Sequence, residues 1–506
     1  MKKSDSEAEP RSPISFHPMS NGEFEPRPVD DRDRLAAKLY RELVDEKSKR
    51  FGLTRRQFCE SASGMLGALY VMNQAYGCSR GGASAGDAGF TRDAGYDVPA
   101  DVTANDAAQA AMDTGYDIQQ EALDNPDAAD AAVASEEFIF DVQTHTTVPA
   151  PPWTAATCTQ NTPNMCPTAY LSGIFVDSDT DVACLSGYPA PRAMDRPSIQ
   201  ARAKIKEIVD RLNGSPRLVI HANVRPDEGQ VELDAMTQDA GNFPVVAWKT
   251  YPPATAGRGL DSAGYGQPFI ERARQLGIKI VATHRGIGSD NGAWTGINSP
   301  RDVGPAAAAN PDVKFLVYHS GWQSGVAEDH PFNMADAAPL GVDRLIKTVV
   351  DNGLGANSNL YAELGTTWFN LMSNMNEATH VLGKLLKYLG PDRILWGTDS
   401  YNNGGPQPQI EAFRSFQIPD SMQVMYGYPA LTPEVKRKIF GLNGAALYGI
   451  DPQLTRRKLT QAEISNLSLA RRGDPAGPRG PRPRPRPHGP RTRREYLAFL
   501  RWSGEA

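Results

Sequence analysis

Phe138-Ile139-Phe140-Asp141-Val142-Gln143-Thr144-His145 is an apolar run that ends in polar side chains. Seven more runs follow, over 181–185, 217–221, 244–251, 278–284, 314–319, 360–364 and 393–399, and several end in His, Lys, Glu or Asp. Most are separated by a stretch with helical periodicity. That alternation is the rhythm of a parallel sheet, because each parallel strand needs a crossover to return the chain. Eight such units predict an α/β fold of the (β/α)8 barrel type. In such a barrel the chemistry gathers where the strands end, so polar groups at those ends are the first candidates.

Outside 136–452 the chain changes character. Its 506 residues include 40 prolines and 46 glycines. The net charge of −6 argues against nucleic acid as a general partner. No apolar run reaches the ~18 residues that a bilayer-spanning helix needs. Residues 1–50 read as a disordered extension. In 51–78, Thr54-Arg55-Arg56-Gln57-Phe58-Cys59 precedes an uncharged, weakly apolar stretch, a pattern similar to a twin-arginine (Tat) signal peptide. That reading makes the Tat export machinery a partner and the periplasm the destination.

Cleavage is expected after Ala75-Tyr76-Gly77. Cys78 would then be either the site of a lipid anchor facing the periplasm or the first residue of a released protein. The Ala/Asp/Gly-rich linker 79–135 has too little apolar surface to offset its ordering entropy. Of the five cysteines, Cys158 and Cys166 could pair in an oxidising compartment, whereas Cys184 reads as a buried strand residue. The tail 453–506 is basic and Pro-rich. A short helix over 492–502 is expected to dock on its own barrel or on a neighbouring subunit.

In the first strand, alternation after Val142 sets Gln143 and His145 on one face, as paired ligands at a barrel mouth would be. Later strands deliver Lys249, His284 with Arg285 behind it, His319, Glu363 and Asp399. Imidazoles and a carboxylate converging on one rim suit a divalent transition metal of the zinc type, Zn2+, which would activate a bound water. His145, His284 and Asp399 are the ligand candidates. His319 is a ligand or a general acid/base, and Asp399 a ligand or a base. Lys249 has three readings: a carbamylated metal bridge, a substrate-carboxylate site, or the partner of Glu363. His221 reads as structural. Trp153, Trp294, Trp322, Trp368 and Phe369 fall after strands, where aromatic side chains would suit a flat substrate. Arg285 or Lys249 would hold its carboxylate, with Trp322 beside it.

From about 138 to 451 the chain resembles the amidohydrolase-related family of metal-dependent TIM barrels, which includes hydrolases and non-oxidative decarboxylases. The matching pieces are Asp141-x-Gln143-x-His145, His284, His319-Ser320-Gly321, Gly397-Thr398-Asp399 and Asn443-Gly444-Ala445-Ala446. The resemblance implies metal ligation by His145, His284 and Asp399, with His319 placed to polarise or protonate a substrate. The family's first-strand motif carries two metal-binding histidines, and the first of them is Gln143 here, a neutral oxygen donor weaker for zinc than imidazole. Two expectations follow: an exported metal-dependent hydrolase or decarboxylase of a small, carboxylated or aromatic molecule, or an exported barrel that binds such a molecule without turnover.

Overall fold

A computed structural model describes residues 12–76, 115–134, 136–153, 167–252, 258–287, 298–454, 460, 462–463 and 491–503. Eight strands run parallel and pair in chain order: β1 (Phe140–Thr144), β2 (Val182–Leu185), β3 (Leu218–Val224), β4 (Val245–Thr250), β5 (Ile280–His284), β6 (Lys314–Tyr318), β7 (Leu360–Glu363) and β8 (Ile394–Leu395). The ring closes where Val142 N donates to Trp396 O at 3.0 Å and Asp399 N to Gln143 O at 3.0 Å. A parallel bridge between Thr144 and Ser400 completes the seam. This is a (β/α)8 barrel.

Period-two alternation sorts each strand into an inward and an outward face. Leu316 and Tyr318 belong to the inner cluster with Val182, Cys184 and Tyr361, while Phe315, Val317, Leu360 and Ala362 pack outward against the helices. Trp248 points outward and donates Nε1–H to Ile278 O at 3.0 Å, so its neighbour Lys249 points inward. The lower end of the barrel is shut by the chain around 441–448. A Cβ on Gly441 would lie 2.2 Å from Phe138 O, so only glycine permits this approach. Tyr448 reaches in to bond His221 Nε2 at 2.8 Å, which gives His221 a structural place in the floor.

The disordered extension expected over 1–50 is not what residues from Ser12 onward form. Helix α1 (Asp31–Arg50) starts in a capping box between Asp30 and Asp33. It packs on α3 (Ala62–Tyr76), and α2 (Arg55–Cys59) sits between them. The uncharged stretch of α3 buries Met65, Leu66, Leu69 and Met72 in the main core. The linker expectation over 79–135 fails in part for the same reason. Ala122, Leu123 and Ala129 are small enough to dock closely and are buried. Gly115–Tyr116 forms a two-residue strand against Phe416–Gln417. Lys47 pairs with Asp124 at 2.8 Å, tying α1 to the Gln120–Asp124 helix.

Arg493–Ser503 is a helix. Cys78, Cys158, Cys166, Trp294 and the Pro/Arg run at 479–487 lie outside the described residues. Cys184 is buried and free. Among the described residues no helix is long and apolar enough to cross a membrane.

Candidate active site at the barrel mouth

The upper strand ends bring Gln143, His145, Lys249, His284, His319, Glu363 and Asp399 into one buried region. The backbone here is unusual. Ile287, His319, Ser320, Thr366 and Asp399 all have positive φ without being glycine. Such residues persist where the surroundings over-determine them, and they cluster at functional sites.

Two connected groups make up the mouth. In the first, His145 donates Nδ1–H to Ser186 O at 3.1 Å, so its Nε2 is bare. That nitrogen faces Asp399 Oδ1 at 3.3 Å. Burial, and then the Lys249 charge, lowers the His145 imidazole to about 3, so it is neutral at pH 7. The Gln143 amide lies between His145 Nε2, 3.3 Å away, and the Glu363 carboxyl, 2.8 Å from Oε2. Asp399 Oδ2 accepts from Thr366 Oγ1 at 2.5 Å, and its Oδ1 from Asn402 Nδ2 at 3.2 Å. Burial pushes its carboxyl up to about 6.

In the second group, His319 donates Nδ1–H to Gly365 O at 2.8 Å. Its Nε2 must then accept from His284 Nδ1–H, 3.1 Å away. Burial holds both imidazoles well below the usual histidine range. Glu363 accepts from His319 N at 3.0 Å and Gly365 N at 2.6 Å. Burial pushes that carboxyl up to about 8.

Lys249 stands between the groups. Its Nζ is buried and has no hydrogen-bond partner. It lies 3.3 Å over the Tyr318 ring and 5.0 Å from the Tyr251 ring. Burial lowers the amine to about 7, opposed by the charges of Glu363 and Asp399.

Zinc usually takes three or more His, Cys or carboxylate donors around one point. Here His145 and Asp399 meet, but His284 turns its Nδ1 to His319 and the Gln143 amide serves Glu363. Among the described residues no three His, Cys, Asp or Glu side chains gather as a metal-ligating set. Of the residues expected to hold Zn2+, Gln143, His145, His284 and Asp399, the structure brings His145 and Asp399 within 3.3 Å of each other, with Gln143 beside Glu363 and His284 bonded through Nδ1 to His319.

Arg285 also departs from expectation. It is fully buried, paired with Asp302 through two hydrogen bonds of 3.0 and 2.7 Å, and its third nitrogen donates to His284 O at 2.8 Å, so all three guanidinium nitrogens are engaged within the protein. Trp322 is buried and meets Phe24 edge-on, with centroids 5.7 Å apart. The sequence reading missed Asp302, Thr366, Tyr188, Tyr251 and Asn21. The Tyr188 ring lies tilted against His145 with centroids 4.8 Å apart, and Tyr251 likewise against His284 at 5.3 Å. Both tyrosines follow strands, which was a usable signal; Asn21 offered none.

Residues 207–450 match the family model described as amidohydrolase. This segment runs from the helix before β3 through β8 and includes Lys249, His284, His319, Glu363 and Asp399. No curated protein matches the chain. Among solved structures, the 5-carboxyvanillate decarboxylase of Sphingomonas paucimobilis is 14% identical, with a TM-score of 0.37, over 62% of this chain and 100% of that one. The 2,6-dihydroxybenzoate decarboxylase of Rhizobium is 15% identical, with a TM-score of 0.35, over 62% and 100%. A dihydroxybenzoic acid decarboxylase from Polaromonas, holding manganese and 2-nitroresorcinol, is 13% identical, with a TM-score of 0.35, over 62% and 98%. At these values the likenesses carry no inference about chemistry here.

Proposed function

We propose that the barrel mouth is the active site of an amidohydrolase-type enzyme, a hydrolase or non-oxidative decarboxylase of a small carboxylated organic molecule. The observation that carries this is Lys249. A buried amine without a partner costs stability unless something anionic completes it, and this one faces two aromatic rings and the acid–base groups of five other strand ends. The amidohydrolase match over 207–450 supports the reaction class.

Lys249 would hold the carboxylate, with Tyr251 and Tyr318 flanking it. Asp399, with its carboxyl near 6, can hold or release a proton at neutral pH, as a general acid or base must. In decarboxylation the bond to the carboxylate carbon breaks, carbon dioxide leaves, and the electron pair left on the substrate takes a proton from Asp399. In hydrolysis ionised Asp399 would take the proton of an attacking water. The neutral His284–His319 pair leaves His284 Nε2 as its free nitrogen, an acceptor that would orient a substrate hydroxyl or the attacking water by taking its hydrogen bond. The test is a panel of aromatic carboxylates and lactones, with product and carbon dioxide followed for wild-type protein and D399N. Turnover that D399N abolishes supports the assignment. Binding without turnover across the panel favours the second reading, a ligand-binding barrel, which the diversion of Gln143 to Glu363 supports.

We further propose export to the periplasm through the twin-arginine route. Arg55 and Arg56 are exposed at the start of α2. Helix α3 is buried against the body, so its recognition by the export machinery would require 12–76 to undock.

A further inference from the structure

The mouth is crossed by a segment from the far end of the chain. Met19, Ser20, Gly22, Phe24 and Pro26 are buried although they precede every helix. Asn21 Nδ2 donates to Asp399 Oδ2 at 3.4 Å and to Glu23 Oε2 at 2.7 Å. It thereby bridges the candidate catalytic carboxylate and an acidic side chain at the rim. Phe24 sits edge-on to Trp322, and Ser324 Oγ donates to Glu25 O at 3.3 Å. Gly22 takes φ of +104°, a turn that lets Asn21 and Glu23 approach the same point.

Both ends of this segment are held. Arg27 makes two hydrogen bonds to Asp33, 2.8 and 2.7 Å long, at the first turn of α1, and Tyr76 at the end of α3 bonds the same carboxylate. From the other terminus, Arg493 Nε comes within 3.6 Å of Glu25 Oε1. The charge of Glu23 reaches Lys249, Tyr188 and Tyr251. An acidic group of the chain itself thus stands at the rim with the sign that a substrate carboxylate would bring to Lys249.

We propose that residues 19–25 form an autoinhibitory strap that keeps substrate from Lys249 and Asp399 until the segment 12–76 lifts away. The proposal rests on the mouth being the active site. Asn21 competes with substrate for Asp399, Glu23 competes with it for the field of Lys249, and Phe24 on Trp322 is the latch. Because Arg27 and Tyr76 converge on Asp33, strap, α1 and α3 would leave together. Whatever undocks α3 would also open the barrel.

The test needs no substrate and no turnover. Full-length protein is pulsed with acetic anhydride, a reagent of substrate size, and acetylation is read peptide by peptide at Lys249. Lys384 is the internal control, since it is equally buried but lies far from the mouth, between Glu328 and Asp343. In wild type Lys249 should be as protected as Lys384. In the Asn21→Ala/Phe24→Ala variant Lys249 should react at least tenfold faster while Lys384 stays protected. Unchanged protection of Lys249, or a wild-type Lys249 as reactive as exposed Lys38, overturns the proposal.

If both lysines become reactive because the variant unfolds, wild-type protein at rising urea decides. Lys249 reacting ahead of Lys384 supports the strap, and simultaneous reaction overturns it. An accessible Lys249 in a variant that turns over no carboxylate would leave the strap standing and remove the enzymatic reading alone.

Discussion

Replacing Lys249 by methionine should make the protein more stable while removing its ability to bind carboxylates. Burial lowers the amine from the ordinary lysine value to about 7. At ~1.4 kcal/mol for each tenfold change in proton affinity, that depression corresponds to about 5 kcal/mol against folding at pH 7. Relaxation and the loss of attraction to Glu363 and Asp399 reduce the recoverable part. Apolar replacement of buried ionic groups has gained about 1–4 kcal/mol elsewhere, and that is the range expected here.

The pH dependence has a definite sign. A base held below its ordinary value binds fewer protons folded than unfolded between about pH 7 and its unfolded value near ~10.4. Wild-type stability should therefore climb across that window, and the advantage of K249M should shrink as pH rises from 7 to 9.5. Urea unfolding at both pH values measures the difference, and benzoate titration by calorimetry measures the lost binding. A K249M protein less stable than wild type by ~1 kcal/mol or more at pH 7 would refute the reasoning. Lys249 would then be the structural counter-ion of Glu363, and its missing hydrogen bond would say nothing about a ligand.

Asp399→Asn keeps an oxygen acceptor in place, so turnover should vanish while the thermal midpoint moves by only a few degrees; residual turnover near wild type would remove Asp399 from the chemistry. Arg285→Ala strands the buried Asp302 carboxylate and should cost about 3–5 kcal/mol in denaturant unfolding, with KM on any substrate found in the panel unchanged in the folded fraction. Gln143→His supplies the imidazole that the first strand lacks and should raise zinc affinity by roughly tenfold or more, measured by competition with a chromogenic chelator; equal affinity would mean the mouth has no place for the ion. Replacing Arg55 and Arg56 together by lysine should stop export, read as loss of periplasmic protein with the cytosolic pool retained; unchanged periplasmic yield would sink the targeting proposal.

The barrel and its polar strand ends were legible because alternation and strand–helix rhythm are local properties of a few consecutive residues. Whether Lys249 faces inward follows from its neighbour Trp248 facing out, a matter of one residue. Partner choice is not local. Arg285 follows a strand end, as a substrate-binding arginine would, yet Asp302 binds it from the segment where the next helix begins. Gln143 occupies a ligand's position, but Glu363, six strands later in the chain and two strands away across the closing seam, engages its amide. The apolar stretch after Arg56 has the composition of a signal, and composition alone does not distinguish a helix waiting for a receptor from one already packed on α1.

That last ambiguity bears on the mouth itself. The same residues can serve both purposes if docking is reversible, and Asn21 is then the informative position. Its contact with Asp399 joins residues 378 positions apart, so no periodicity or motif announces it; only the folded chain brings the two together. A signal packed into the body would be costly for an exported protein that had to function in that state. It is less so for one whose site should stay shut until the signal is withdrawn. Export and access would then be one event, with Asp33 the joint, since Arg27, two residues past the strap, and Tyr76 of α3 both depend on its carboxylate.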